Sequence, residues 1–233
     1  EKKVTVEVLR LDKIHPLISG NKWFKLRYYL EEAKNLNQKN IVTFGGPWSN
    51  HILATAAACK TQQLHSIGII RGEEAAILSP TLVKAKEMGM ELFFVSREDY
   101  AQKKIPEAIN KEKSLFINEG GYGIKGADGA ATILDFCEKE NYTHFCCAVG
   151  TGTMLAGLIK STCIQQQITG ISVLKNNMTL AENVQSLLTE RTDNFQIIHN
   201  YHFGGYAKHK PELMAFMNTF YQQTQIPSDF VYT

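Results

Sequence analysis

The sequence predicts an α/β protein in two lobes, with mostly parallel, twisted sheets covered by helices on both faces. Three observations carry that expectation. Short β-branched or aromatic runs alternate with longer amphipathic segments along all 233 residues, the pattern of βαβ units. Turn and cap residues punctuate the junctions, as where Ser79 precedes Pro80 at a helix start. Three Gly-rich stretches, Gly45 to His51, Glu119 to Gly129 and Gly150 to Gly157, lie directly after predicted strands, where parallel α/β folds bind ligands.

Taken in order, β-branched and aromatic residues place strands at 5–11, 40–44, 66–71, 91–96, 114–118, 144–149, 169–173 and 195–199. Amphipathic spacing places helices at 22–35, 50–62, 80–88, 100–111, 127–140, 153–162, 180–190 and 211–223. No tandem repeat, low-complexity segment or long linker interrupts the chain. Short crossings near Gln38 and Asn118 therefore serve as hinges: 38–118 reads as a smaller inserted lobe, and 1–37 with 119–233 as a larger one.

Composition narrows the function. Hydrophobic residues make up 44% of the chain, enough for a sizeable core, and 25 Lys and Arg against 23 Asp and Glu leave a net charge of +2. The lysines are dispersed among acidic residues, so no concentrated basic patch points to nucleic acid. No apolar run reaches the length of a membrane span and no secretory leader is visible, so a soluble, cytoplasmic protein is expected. Cys59, Cys137, Cys146, Cys147 and Cys163 form no CxxC pair and sit mostly in apolar runs, reading as buried free thiols. No metal site is expected.

Three constellations carry chemistry. In the first, Gly150, Thr151, Gly152 and Thr153 follow an apolar strand and open a helix. Backbone amides freed by glycine, two hydroxyls and a helix N-terminus suit a single phosphate, while no Walker lysine or GxGxxG spacing is present. An ordinary strand-to-helix turn is the competing reading. Next, Ser49, Asn50 and His51 follow Gly45–Gly46 at another strand-to-helix turn. Taken alone, the stretch reads first as a capped helix after a glycine turn; but one cap needs one side chain, and three polar groups in succession suggest a substrate carboxylate and assisted proton transfer. Finally, Lys22 stands at a turn-to-helix junction beside Trp23 and Phe24, where desolvation and a helix N-terminus would favour a reactive amine, with a solvated surface lysine as the competing reading. Lys25 and Lys34 read as solvated surface lysines. Tyr206 and Tyr232, near strand ends, acquire interest only as an aromatic wall beside a phosphate cradle.

The ordered segments SGNKWFKL, GGPWSNH, EGGYGIKGADG, VGTGTMLAGL, FGGYAK and DFVYT resemble the D-cysteine desulfhydrase and 1-aminocyclopropane-1-carboxylate deaminase family across essentially the whole chain. That family has the tryptophan synthase β-subunit type of fold and uses pyridoxal 5'-phosphate. The resemblance implies that Lys22 holds the cofactor covalently and acts as base, and that Gly150, Thr151, Gly152 and Thr153 hold its phosphate. Asn50 would meet the ring hydroxyl, Thr233 the pyridine nitrogen, and Ser49, Asn50 and His51 the substrate. Tyr206 and Tyr232 match two active-site tyrosines. Trp48 departs from the glutamine expected before Ser-Asn-His, and Trp23–Phe24 from a more basic pair.

A neutral hydroxyl at Thr233, where a carboxylate would keep the pyridine protonated, favours loss of a good leaving group. D-cysteine converted to pyruvate, sulfide and ammonia is therefore the expected reaction of this lyase, with cyclopropane deamination (a hydrolase activity) as the alternative. A non-catalytic binder of a phosphate ligand or of the cofactor is a further one. The resemblance also implies a homodimer, and a larger lobe that runs on past Thr233.

Overall fold

The structure is a computed structural model that describes residues 4–18, 20–208, 210–229 and 231. Two separate sheets, both wholly parallel, organise it. Strands β1 (Asn40–Gly45), β2 (His65–Arg71), β3 (Glu91–Val95) and β4 (Ser114–Ile117) form the first, in the order β3-β2-β1-β4. Strands β5 (His144–Val149), β6 (Gln167–Ser172) and β7 (Phe195–Ile198) form the second, in chain order. Parallel neighbours need crossovers, and helices supply most of them: α2 (Asn50–Thr61), α3 (Pro80–Glu87), α6 (Thr153–Ser161) and α7 (Leu180–Gln185).

Helix α1 (Asn21–Asn35) ties the two sheets together. Its Phe24 is buried in the core of the second sheet with Leu155 and Val149, whereas Leu26, Leu30 and Ala33 are buried against Ile41 of β1 and Ala54 of α2. Burying a side chain such as Leu26 contributes about 1.5–3 kcal/mol, so packing on both flanks fixes the rotation of α1. Helix α5 (Ile124–Ala131) lies so close to α1 that a Cβ on Gly129 would stand 2.1 Å from the carbonyl oxygen of Phe24. The glycines of the 119–129 stretch thus serve helix packing as well as the turn before it.

Most predicted elements appear within two residues of their expected ends, and the exceptions have physical causes. Residues 5–11 form no strand, because no neighbouring strand offers a ladder; Val4, Val6 and Val8 stay exposed, and only a 3₁₀ turn forms at Leu11–Lys13. The helix expected at 100–111 is α4 (Arg97–Ala101). Ser96 caps it through Asp99 N–H at 3.0 Å, and Lys103 at φ 54° followed by Pro106 ends it. The helix expected at 127–140 splits into α5 and a 3₁₀ segment, Thr132–Phe136, broken by extended Cys137. The helix at 180–190 ends at Gln185, with Leu187 and Leu188 in tighter turns. Helix α8 (Pro211–Thr224) forms as expected. Of the cysteines only Cys59 and Cys147 are buried; Cys146 and Cys163 are exposed, against the expectation of buried thiols, since alternate residues of a strand face outward and Cys163 lies in a turn. No helix among the described residues is long and apolar enough to cross a membrane.

Candidate active site

The carboxyl ends of the strands and the start of α1 enclose a cavity of about 900 Å³. Lys22, Ser49, Asn50, His51, Gly150, Thr151, Gly152 and Tyr206 all line it, so residues drawn from four sequence-distant segments meet in one place. Thr153 is fully buried behind the cradle, with its hydroxyl 3.0 Å from that of Thr151. Tyr232 and Thr233 lie outside the described residues.

Lys22 is the second residue of α1, whose N-cap is Gly20 at φ 62° and ψ −145°. A side chain would be strained in that conformation, so the glycine lets the chain turn sharply into the helix and deliver Lys22 to the cavity. Nζ of Lys22 donates to Asn21 Oδ1 at 2.7 Å. Burial pushes its pKa down to about 8, against the opposing pull of the Asp229 carboxylate.

One turn further on, Lys25 corrects the surface reading: it is only 4% exposed and also faces the cavity. It forms neither an ion pair nor a hydrogen bond among the described residues, and burial together with the Lys22 charge pushes its pKa well down. Sequence spacing held the signal, since residues three apart share a helix face and Phe24 and Leu26 flank Lys25 in buried positions.

The loop before α2 is polar for two separate reasons. Ser49 is the N-cap, accepting the Ile52 N–H at 3.4 Å, which is a structural role. His51 is buried with Nε2 2.8 Å from Thr43 Oγ1, and Thr43 gives its own hydroxyl proton to the Ile117 carbonyl at 2.8 Å. Nε2 must therefore donate, leaving Nδ1 as a buried acceptor with no partner among the described residues. Burial and the charges of Lys22 and Lys25 keep this imidazole neutral by pushing its pKa well down. Asn50 Nδ2 donates to Asp229 Oδ2 at 2.5 Å, and the Asp229 carboxylate also acts on Lys22; the sequence reading missed it.

At the other loop Gly152 adopts φ +90° as the N-cap of α6, and no side chain caps the helix. A Cβ there would stand 2.8 Å from Val184 Cγ2. The Gly150 carbonyl is held back by Asn177 Nδ2 at 3.3 Å. The first-turn amides of α6 are consequently left for an anion. Tyr206 hangs over the Ser49 loop, its hydroxyl accepting the Trp48 N–H at 3.2 Å and standing 2.9 Å from where a Cβ on Gly46 would be. The sequence departures lie elsewhere. Trp23 stacks on His15 with centroids 5.9 Å apart, Phe24 is core, and none of Trp23, Phe24 or Trp48 lines the cavity. Among the described residues no group of three or more His, Cys, Asp or Glu could hold a metal ion.

Parallel sheets joined by a lysine-bearing cavity are the architecture of the tryptophan synthase β-subunit type of fold. In shape the chain agrees with the crystal structure of an ACC deaminase homologue: TM-score 0.81 and 26% identity, over 95% of this chain and 74% of that one. A hydrogen sulfide-producing enzyme of Fusobacterium nucleatum shares the fold at TM-score 0.63 and 12% identity, over 94% of this chain and 78% of that one. In sequence the chain is 28% identical to a Pyrococcus abyssi protein provisionally named 1-aminocyclopropane-1-carboxylate deaminase, over 99% of this chain and 76% of the relative. It is 25% identical to the bifunctional mitochondrial D-cysteine desulfhydrase/1-aminocyclopropane-1-carboxylate deaminase of Arabidopsis thaliana, over 93% of this chain and 61% of that protein. No protein-family model matches the chain. The chain is a relative of the 1-aminocyclopropane-1-carboxylate deaminase and D-cysteine desulfhydrase family, pyridoxal-phosphate proteins of fold type II, as its motifs led us to expect.

Proposed function

We propose that the chain is a pyridoxal-phosphate-dependent lyase that converts D-cysteine to pyruvate, sulfide and ammonia. The observation that carries this reading is the meeting, in one cavity, of a lysine with its pKa pushed down to about 8 and an uncapped helix start. The donor set fits the cofactor: an amine for its aldehyde, backbone amides and two threonine hydroxyls for its phosphate, and the buried Lys25 nearby. When bound, the cofactor supplies an electron sink for bond cleavage at the amino acid's Cα.

The chain's own groups do the rest. With a pKa of about 8, roughly a tenth of Lys22 is a neutral amine at pH 7, whereas an unshifted lysine would be neutral in roughly one molecule in three thousand. Lys22 Nζ thus serves as nucleophile and as the proton acceptor at Cα. Ser49 and the start of α2 bind the substrate carboxylate, Asn50 and His51 position what lies beside it, and Tyr206 closes the wall above. We assign the smaller inserted lobe to 38–118, the span that contains the first sheet. Tyr232 and Thr233 keep the roles that the resemblance implies, and Thr233 supports D-cysteine over the cyclopropane. The names of the archaeal and bacterial relatives favour the cyclopropane as the second reading.

The test is 2-oxo acid release with pyridoxal phosphate added: pyruvate from D-cysteine or L-cysteine, and 2-oxobutanoate from 1-aminocyclopropane-1-carboxylate. We expect D-cysteine to be preferred, and Lys22→Ala to lose both turnover and the visible absorbance of bound cofactor. An active Lys22→Ala protein overturns the role of Lys22; preference for the cyclopropane overturns the choice of substrate.

A further inference from the structure

Arg71, the last residue of β2, enters no part of the mechanism above. It lies at the carboxyl end of a parallel strand, where Gly72 at φ +100° turns the chain away, its N–H bonded to the Val95 carbonyl at 2.8 Å. The Arg71 guanidinium lines the cavity and lies over two aromatic rings, 5.8 Å from the centroid of Tyr100 and 5.6 Å from that of Tyr206. Those contacts favour this placement of the charge without neutralising it. No carboxylate pairs with Arg71 among the described residues. The neighbouring cation, Lys103, lies over the Tyr100 ring at 4.6 Å and pairs with Glu119 at 3.8 Å, so the local carboxylate is already engaged.

Position decides which part of a ligand this charge meets. Tyr206 bridges Arg71 to the Gly46–Trp48 backbone, immediately before Ser49. Arg71 therefore stands on the substrate side of the cavity, next to the loop assigned to the substrate carboxylate. Arg71 is exposed at the cavity wall, and a guanidinium with free donors is a receptor for a planar or tetrahedral oxyanion. Neither the thiol of D-cysteine nor the methylenes of the cyclopropane supply one.

We propose that Arg71 is a specificity-determining residue that admits a further class of substrate to this site, amino acids whose side chain carries an oxyanion, by binding that oxyanion. This deepens the functional reading above and rests on it for the reaction, though not for the binding. For a β-phosphate the chemistry balances with water alone. The Cα–H proton goes to Lys22, the Cβ–O bond breaks with its electron pair leaving on phosphate, and hydrolysis yields pyruvate, ammonia and inorganic phosphate.

The experiment compares O-phospho-D-serine with D-cysteine in wild type, Arg71→Met and Arg71→Lys. Turnover gives kcat and KM, and calorimetry gives binding of O-phospho-D-serine and of inorganic phosphate. For the phosphorylated substrate relative to D-cysteine, we expect Arg71→Met to lower the ratio of kcat/KM at least about tenfold, chiefly through KM, and Arg71→Lys to recover part of it. Calorimetric affinity for O-phospho-D-serine should fall in parallel. An unchanged ratio, or inorganic phosphate binding as tightly as the phosphorylated amino acid, overturns the proposal. A wild type that turns over neither substrate overturns the functional reading instead, and the calorimetric comparison still decides the role of Arg71.

Discussion

The loops before α2 and α6 solve the same local problem in opposite ways. Both follow the carboxyl end of a parallel strand and both begin a helix that borders the cavity. Before α2, Ser49 accepts the Ile52 N–H and satisfies the helix from within. Before α6, Gly152 supplies no side chain and turns through φ +90°, so the helix start is satisfied only by a ligand or solvent. Internal capping marks a loop whose side chains act. An open start marks a loop whose backbone acts, and in the function proposed above the two together divide the cavity into a substrate side and an anion side.

Adding a side chain at Gly152 attacks the open loop where it is least tolerant, and gives the largest effect. Gly152→Ala brings a Cβ to 2.8 Å from Val184 Cγ2 in a conformation that L-residues rarely adopt. We expect about 1–3 kcal/mol of destabilisation, measured by denaturant unfolding, together with loss of pyridoxal-phosphate binding measured by absorbance. A variant that retains full affinity would mean that the anion sits elsewhere.

Those two loops also show how much of the site is legible in the sequence. Glycine before a helix is visible along the chain, and so the cradle, Lys22 and the Ser-Asn-His run stand out from sequence alone. Lys25, Arg71 and Asp229 do not. Lys25 looks like one of many surface lysines because burial depends on which way α1 is rotated, and contacts from both sheets set that rotation. Arg71 and Asp229 gain meaning only from partners far away in the chain, Tyr206 and Asn50 respectively. The strand expected at 5–11 fails for the same reason in reverse: its pattern is right, but a ladder requires a neighbour. Local chemistry can be read along the chain, while rotation, pairing and long-range contact cannot.

Lys25 sharpens the contrast between the two sides, with an intermediate effect. It is a buried lysine lacking an ion-pair partner among the described residues, and it faces Cys147 on β5, the strand that runs into the open loop. Because its folded pKa lies below 10.5, the unfolded chain binds more protons between those two values, and stability rises with pH across that window. Lys25→Met should flatten that rise and make the ligand-free protein more stable near neutral pH, while weakening phosphate binding roughly tenfold. Thermal melts at several pH values, with and without inorganic phosphate, check both signs. A variant destabilised at neutral pH would show that the ammonium has a partner after all.

The smallest effect belongs to the capped loop. Ser49→Ala removes the acceptor for Ile52 N–H at a cost of about 1 kcal/mol, and the same hydroxyl is the one assigned to the substrate. Glycine at this position tolerates a helix N-cap better than alanine does, so Ser49→Gly restores most of the stability without restoring the hydroxyl. Turnover should therefore remain low in Ser49→Gly while its melting temperature approaches that of the wild type. If turnover recovers along with stability, Ser49 acts only by starting α2, and contact with the substrate passes to the loop's backbone.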